Sequence, residues 1–418
     1  MTAAATPPSD AVLILGGGLM GLALAHQLAR RGQSVLVLSR RRSEAAGFVA
    51  AGMLAPHAEG LGGALLSLGQ ASLARISDWV AGIEADSALG CGLRTCGIVV
   101  PFATAAERDA FPTAAWGTAL ERPALEREIP GIGPLWRAGL LFEQDGQIDN
   151  RRRLMRALER ACVQRGVRFE EGSEVLELIT RPGATHPVAP IAAGRAPGPA
   201  AEPASPPRLE AVRLRRADGS ELTLACRRAV LTCGAWSARQ LPQLPVFPVK
   251  GQMLSLQGPI GALQRVVFGP GTYLVPREDG LLVVGATSEP EAGFSEGLTP
   301  FGQQRLEAGI AALLPEASGW PPMERWWGFR PCTPDQGPLL GPGPIDGLWL
   351  CTGHHRNGVL LAAISAELLA VSLGVGSADA VQARLLEGFS WRRFRDDARS
   401  GAPTETSRNG PPATSMDA

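Results

Sequence analysis

The hydrophobic positions of this chain change rhythm several times, and each change predicts an element. Residues 11–15, "AVLIL", form an unbroken apolar run of strand length, the pattern of a parallel strand buried on both faces. "LMGLALAHQLARR" at 19–31 predicts a helix, with arginines in its last turn and Gly32 as its stop. "SVLVL" at 34–38 is a second buried strand, which completes a βαβ unit. Residues 62–86 and 104–130 are expected to be mainly helical. "RRRLMRALERACVQRG" at 151–166 is an amphipathic helix that leads into strand-like "VRFEEGSEVLELIT".

All period is lost at 181–207, a Pro/Ala/Gly-rich stretch expected to be a disordered surface insertion. Strand alternation resumes with "RLEAVRLRRADGSELTLACRRAVLTCG", turning at Asp218-Gly219. Further strands are predicted at 249–257, 273–276 and 281–286, the last two joined by "REDG", and a helix near 301–314. "GLWLCTGHHRNGVLLAAISAELLAVSLG" is another strand–turn–helix, and the tail from 399 is expected to be disordered. A length of 418 residues fits two intergrown domains.

Composition removes several function classes. Forty basic and forty acidic side chains cancel, so nucleic acid and anionic membranes are not expected partners. The triplets Arg40-Arg41-Arg42 and Arg151-Arg152-Arg153 read as solvated faces. Lys250 is the only lysine and Tyr273 the only tyrosine, but a general bias toward Arg, Ala, Gly and Pro weakens any meaning in that scarcity. Seven cysteines lack metal-ligand spacing, so no metal is expected, and reduced thiols suit a cytoplasmic protein. The apolar stretch near the start has no basic leader and is shorter than the roughly 20 residues that span a bilayer.

"GGGLMG" places Gly16-x-Gly18-x-x-Gly21 between the first strand and the first helix. Gly16 permits a tight turn, Gly18 lets backbone approach a pyrophosphate, and Gly21 allows close helix–strand packing. The acid expected some 20 residues on to bind a ribose is missing, and Ser39-Arg40-Arg41 stands there instead. Those residues leave two readings open: a serine hydroxyl on the ribose, or arginines facing a 2′-phosphate.

"GFVAAGMLAPHAE" at 47–59, joined to the glycine loop, resembles the D-amino-acid-oxidase-like FAD-dependent oxidoreductases, and within them the glycine oxidases of the thiamine pathway. Further matches occur in order along the chain. They are the residues at 145–158 (with one arginine more than the pattern), "AVLTCGAWS" at 229–237, "PVKGQM" at 248–253, "YLVPREDGLLVVGAT" at 273–287, "WWGFRPCTPD" at 326–335 and "GHHRNGVLL" at 353–361. The resemblance implies an α/β, FAD-binding Rossmann-like domain of the glutathione-reductase type, from residues 8–90, 145–240 and 326–390. It is interleaved with an α+β substrate domain on a mixed sheet, from 91–144 and 241–325.

The same resemblance implies roles. FAD would be held by Gly16, Gly18, Leu19, Met20, Gly21, Ser39, Arg40, Val175 and Gly234 along the nucleotide. Near the flavin ring would lie Ala50, Ala51, Gly52, Met53, Arg356, Asn357, Gly358 and Val359. Because FAD has no 2′-phosphate, the arginines after Ser39 are expected to face solvent. Arg330 is the expected clamp for a substrate carboxylate, since a guanidinium fork pairs with it bidentately, and Tyr273 is the second donor. His354 and His355 are expected to be ordinary satisfied histidines, and Lys250 a solvated lysine between strands. The implied reaction is hydride transfer from the α-carbon of glycine, sarcosine or D-alanine to flavin, with molecular oxygen as acceptor. A homo-oligomer and a thiazole synthase partner are implied as well. The rivals are a D-amino-acid dehydrogenase of the same fold and a non-catalytic dinucleotide-binding protein.

Overall fold

The computed structural model describes residues 11–182 and 205–395. The expected insertion, apart from its ends, and the expected disordered tail lie outside the described residues. Arg181 and Arg208 are paired neighbours on two antiparallel strands, so that insertion connects a hairpin.

The apolar run at 11–15 becomes the strand Val12–Leu15, at the centre of a six-stranded sheet. Its side chains alternate between two cores: Val12 and Ile14 pack on one face of the sheet, Leu13 and Leu15 on the other. That double burial is why the strand is apolar without interruption. Val35–Ser39 and then Arg168–Glu171 pair parallel on one side of it. Ala229–Leu231 and then Leu348–Thr352 pair parallel on the other, and Leu339–Pro342 closes that edge antiparallel. Strand order therefore reverses beside Val12–Leu15, the switch point at which open α/β sheets bind ligands. The helices Leu19–Arg30, Met155–Gln164 and Gly358–Ser372 share one face.

A second sheet of eight strands runs in the order Pro322–Cys332, Phe247–Gln257, Leu281–Gly285, Thr272–Pro276, Val266–Gly269, Ile98–Phe102, Ala138–Phe142, Thr118–Glu121. All its neighbours are antiparallel except Val266–Gly269 with Ile98–Phe102. Met53–Leu54 pairs with Gly146–Gln147 in a two-stranded ladder. The boundary expected at 326 falls inside Pro322–Cys332, which is continuous and paired along its length with Phe247–Gln257.

Two local expectations are corrected. The stretch 104–130 holds only short helices, Ala105–Asp109, the 3₁₀ turn Ala114–Trp116 and Arg122–Glu128, with the strand Thr118–Glu121 before the last. The helix expected over 151–166 begins with a π turn, Asn150–Leu154, before its α-helical part, Met155–Gln164. The Leu154 amide donates to the carbonyl of Asp149, five residues back, at 2.9 Å. A wide turn absorbs one additional residue without rotating the rest of the helix. Here the turn spans Asn150–Leu154, and Met155, Leu158 and Cys162 lie on the buried face.

The second arginine triplet is part-exposed, as expected of a solvated face, and it is also ion-paired. Arg151 pairs with Glu324 and lies 4.6 Å from the Trp326 ring centroid. Arg152 bridges Asp149 and Asp279, at 2.9 and 2.7 Å. These pairs join the π turn to the second sheet.

Leu158 is fully buried on the helix Met155–Gln164. Leu158→Ala is expected to lower unfolding free energy by about 2–5 kcal/mol in equilibrium denaturation, through lost apolar burial and the cavity left behind.

Candidate active site

At the switch point the chain passes itself with no room to spare. Gly16 has φ +122°, and a Cβ there would lie 2.5 Å from the Thr232 carbonyl oxygen. A Cβ on Gly21 would lie 1.9 Å from the Gly16 oxygen. Thr232 Oγ1 donates to that same Gly16 oxygen at 2.7 Å, tying the two strand ends together. Gly16 and Gly21 thus do the jobs their spacing suggests.

The helix Leu19–Arg30 starts at Gly18 with no side-chain cap, so the amides of Leu19, Met20 and Gly21 open the turn. The helix Gly358–Ser372 starts at Asn357, also with no side-chain cap. A Cβ on Gly358 would be 3.8 Å from Met20 Cε, so the two helix starts are neighbours. Each carries about half a positive charge, which favours anionic groups beside it. Gly52, at φ +88°, passes so close to the 148 backbone that a Cβ would stand 2.0 Å from the Ile148 oxygen. Ala51 is buried beside it, and its carbonyl accepts from the Arg277 guanidinium. Ala50 and Met53 are half-buried, and Met53 pairs with Gln147.

Ser39 is buried at the end of its strand, and its carbonyl accepts from the Ser173 amide at 3.0 Å. The arginines after it do not simply face solvent. Arg40 pairs with Glu44 at 2.7 Å and Glu174 at 3.7 Å, and Arg41 with Glu44 at 3.1 Å. Arg42, with only 18% of its side chain exposed, pairs with Glu159 and Glu171. Four carboxylates compensate three guanidiniums, which leaves no net cationic site for a 2′-phosphate. Val175 packs in the core, and its carbonyl accepts from Gln240 Nε2 at 2.8 Å. Gly234 begins a short turn at φ +54°, near Thr352, whose hydroxyl donates to its carbonyl at 3.2 Å.

The eight-stranded sheet brings Arg330 and Tyr273 together. Arg330 lies opposite Val249, and Nη1 donates to the Thr287 carbonyl at 3.0 Å, which anchors one edge of the guanidinium. The side chain crosses Gly251, where a Cβ would sit 2.2 Å from Nη1. Tyr273 lies opposite Gly285, where a Cβ would be 2.4 Å from the phenol oxygen. Phe268 stacks on its ring at 6.4 Å. Desolvation pushes the phenol up to about 12, opposed by the charge and hydrogen bond of Arg330 and reinforced by Glu59. At neutral pH the phenol keeps its proton and can donate.

Arg356, Asn357, Gly358 and Val359 line the second helix start, with Asn357 and Val359 buried and Arg356 exposed. His354 is buried against Ser365 Oγ at 3.0 Å. Burial lowers both His354 and His355 to about 3, assisted at His355 by Arg356 and Arg330. Both are neutral, and the Nδ1 of each is buried without a protein partner. That corrects the expectation of fully satisfied histidines. Lys250 is also corrected: it is 1% exposed, not solvated. Facing Phe329 across the strand pair, it points to the opposite side of the sheet from Arg330.

Residues 11–371 match the family described as FAD dependent oxidoreductase. The chain belongs to that family. It is 39% identical over 391 residues to the "Bifunctional protein ThiO/ThiG" of Synechocystis sp., covering 92% of this chain and 54% of that one. The chain therefore spans about half the length of these bifunctional relatives. It is 28% identical to the glycine oxidase of Geobacillus kaustophilus, over 86% of this chain and 91% of that one. A crystal structure of glycine oxidase from that organism matches with a TM-score of 0.77 at 26% identity, over 93% of this chain and 99% of that chain.

As a member of this family the protein uses FAD, and its switch point fits that cofactor. Two uncapped helix starts stand side by side, and at Gly16 and Gly52 backbone runs against backbone with no side chain between. Sequence reasoning missed Glu59, which pairs with Arg356, and Asp145, whose carboxylate holds the loop before Glu59. Glu59 ends the stretch "GFVAAGMLAPHAE", and an acid closing a run of small apolar residues was the available signal. Gly251 and Gly285 gave none beyond their type.

Gly21→Ala would drive a methyl into backbone rather than into a movable side chain. The purified variant is expected to lose most of its flavin absorbance relative to protein absorbance, while far-UV circular dichroism keeps the helical signal.

Proposed function

We propose that the protein is an FAD-dependent oxidase of glycine or another small amine-bearing acid, such as sarcosine or D-alanine. The observation that carries the reading is the meeting of Arg330 and Tyr273 on strands of the second sheet, the same sheet whose Gly328 abuts Val49 at the entry to the Ala50–Met53 segment. Relatives named as glycine oxidase support the substrate class.

Arg330 binds the substrate carboxylate through the donors left free by its anchor on Thr287, and Tyr273 donates a further hydrogen bond. Both are held by packing before substrate arrives, so little ordering is needed on binding. Two carboxylate contacts fix the α-carbon, and the reaction becomes a matter of orientation. Bound FAD supplies the two-electron acceptor, held by the amides at the two helix starts. The substrate loses a hydride from its α-carbon and a proton from nitrogen to become an imine, and water then releases the 2-oxo acid with ammonia from glycine or D-alanine and methylamine from sarcosine. With oxygen as the final acceptor, the two electrons and two protons taken from the substrate would leave as hydrogen peroxide. With His354 and His355 neutral and Lys250 facing away, these side chains leave substrate binding to Arg330 and Tyr273.

The bifunctional relatives support delivery of the imine to a second enzymatic unit, for which thiazole synthase is our candidate partner. Among the described residues no helix is long and apolar enough to cross a membrane. A cytoplasmic homo-oligomer remains part of the proposal.

Glycine is expected to bleach the flavin anaerobically and to yield one peroxide per turnover in air. An oxidised spectrum that glycine, sarcosine and D-alanine all leave unchanged would reject the assignment. Arg330→Ala is expected to raise KM for glycine roughly 100-fold with FAD retained, since truncating one partner of a buried charge pair costs about 2–5 kcal/mol. Tyr273→Phe, which removes one hydrogen bond to a charged group, is expected to cost roughly tenfold in kcat/KM. Steady-state kinetics on flavin-replete protein measures both.

A further inference from the structure

Arg330 and Arg356 stand on adjoining segments, and Arg356 is already paired with an acid. The Arg356 guanidinium is ion-paired with Glu59, whose carboxylate is 5% exposed while Arg356 is 42% exposed. The arginine loops are tied together, because the His355 amide donates to the Pro331 carbonyl at 2.8 Å, and these residues adjoin Arg356 and Arg330. Arg330 and Glu59 both bear on the Tyr273 phenol, and Arg330 and Arg356 both bear on His355. Through its ion pair with Arg356, and the His355–Pro331 bond that ties that loop to the strand of Arg330, Glu59 stands beside the substrate-binding pair.

Its mount is rigid. The Glu59 amide donates to the Ala55 carbonyl at 3.0 Å, and the Gly60 amide to the His57 carbonyl at 2.9 Å. Buried Asp145 accepts from the His57 and Ala58 amides at 3.2 and 2.8 Å, and meets the His57 ring at 2.6 Å. Thr113 Oγ1 also donates to the His57 carbonyl. The backbone that carries Glu59 is thus fixed, and leaving its buried carboxylate without Arg356 would be costly.

We propose that Glu59 is a specificity-determining residue: by neutralising Arg356 beside the Arg330 clamp, it restricts the site to amino acids with a single carboxylate. A second carboxylate on the ligand would meet Glu59 as a like charge and find Arg356 already engaged. The inference rests on the reading of Arg330 as the carboxylate clamp. It adds a repulsive element, which attraction alone would not supply.

The test uses ligands that are not turned over. Acetate and malonate are titrated into the FAD-loaded protein, and perturbation of the flavin's visible spectrum gives a dissociation constant for each. Glu59→Gln keeps the shape, removes the charge and frees Arg356. It is expected to improve malonate relative to acetate roughly tenfold. Arg356→Gln leaves the Glu59 charge bare and is expected to move the ratio the other way. It stands as an independent test should the first variant not retain flavin, and the double variant should return near wild type. A ratio unchanged in the single variants, or a Glu59→Gln gain that persists in the double variant, overturns the proposal. Glycine turnover on the same preparations is scored separately. If glycine leaves wild-type flavin oxidised while the malonate pattern holds, the substrate assignment falls and the role of Glu59 stands.

Discussion

One close approach governs this molecule. At Gly16, Thr232 and Gly21, two strand ends and a helix start meet with no space for a side chain, and the Thr232 hydroxyl seals the contact. The contact fixes where the six-stranded sheet reverses its order, and so where two helices begin side by side. Unsatisfied amides then point to a common region, which is what a dinucleotide with two phosphates requires. A methyl group at Gly21 would open this junction and move the helix that carries the first set of amides.

The second sheet depends on the same device, applied to function. Gly251 and Gly285 are strand glycines, unfavourable for a strand in isolation. They are kept where the Arg330 guanidinium and the Tyr273 ring must lie flat across their neighbours. Absence of a side chain in the floor sets the direction of the two groups that project from it. Phe268 and the Thr287 carbonyl complete the hold.

Arginine does two kinds of work here. Most guanidiniums are spent on compensation: Arg40 and Arg42 with acids around the first βαβ unit, and Arg151 and Arg152 between the π turn and the second sheet. Arg277, pushed down to about 10 by burial, instead holds the Ala51 carbonyl and the Gln147 side chain where the two sheets meet. Arg330 is likewise anchored on backbone carbonyls that do not cancel its charge, but unlike Arg277 it is only half-buried.

The sequence by itself determined the buried strands, the glycine turn and the order of motifs, because these are short-range patterns. A strand buried on both faces must be apolar throughout, and a glycine that touches backbone can be nothing else. It also pointed to Arg330 and Tyr273 through motif types. Only the tertiary structure decided which charges are spent. Glu59 and Arg356 are 297 positions apart, and Arg42 and Glu159 are 117 apart, so no local pattern could pair them. The arginine run at 151–153 was legible, but its winding into a π turn was not, since that depends on the buried face the helix must keep. Lys250 read as solvated for the same reason: a strand of period two does not say which of its faces is covered.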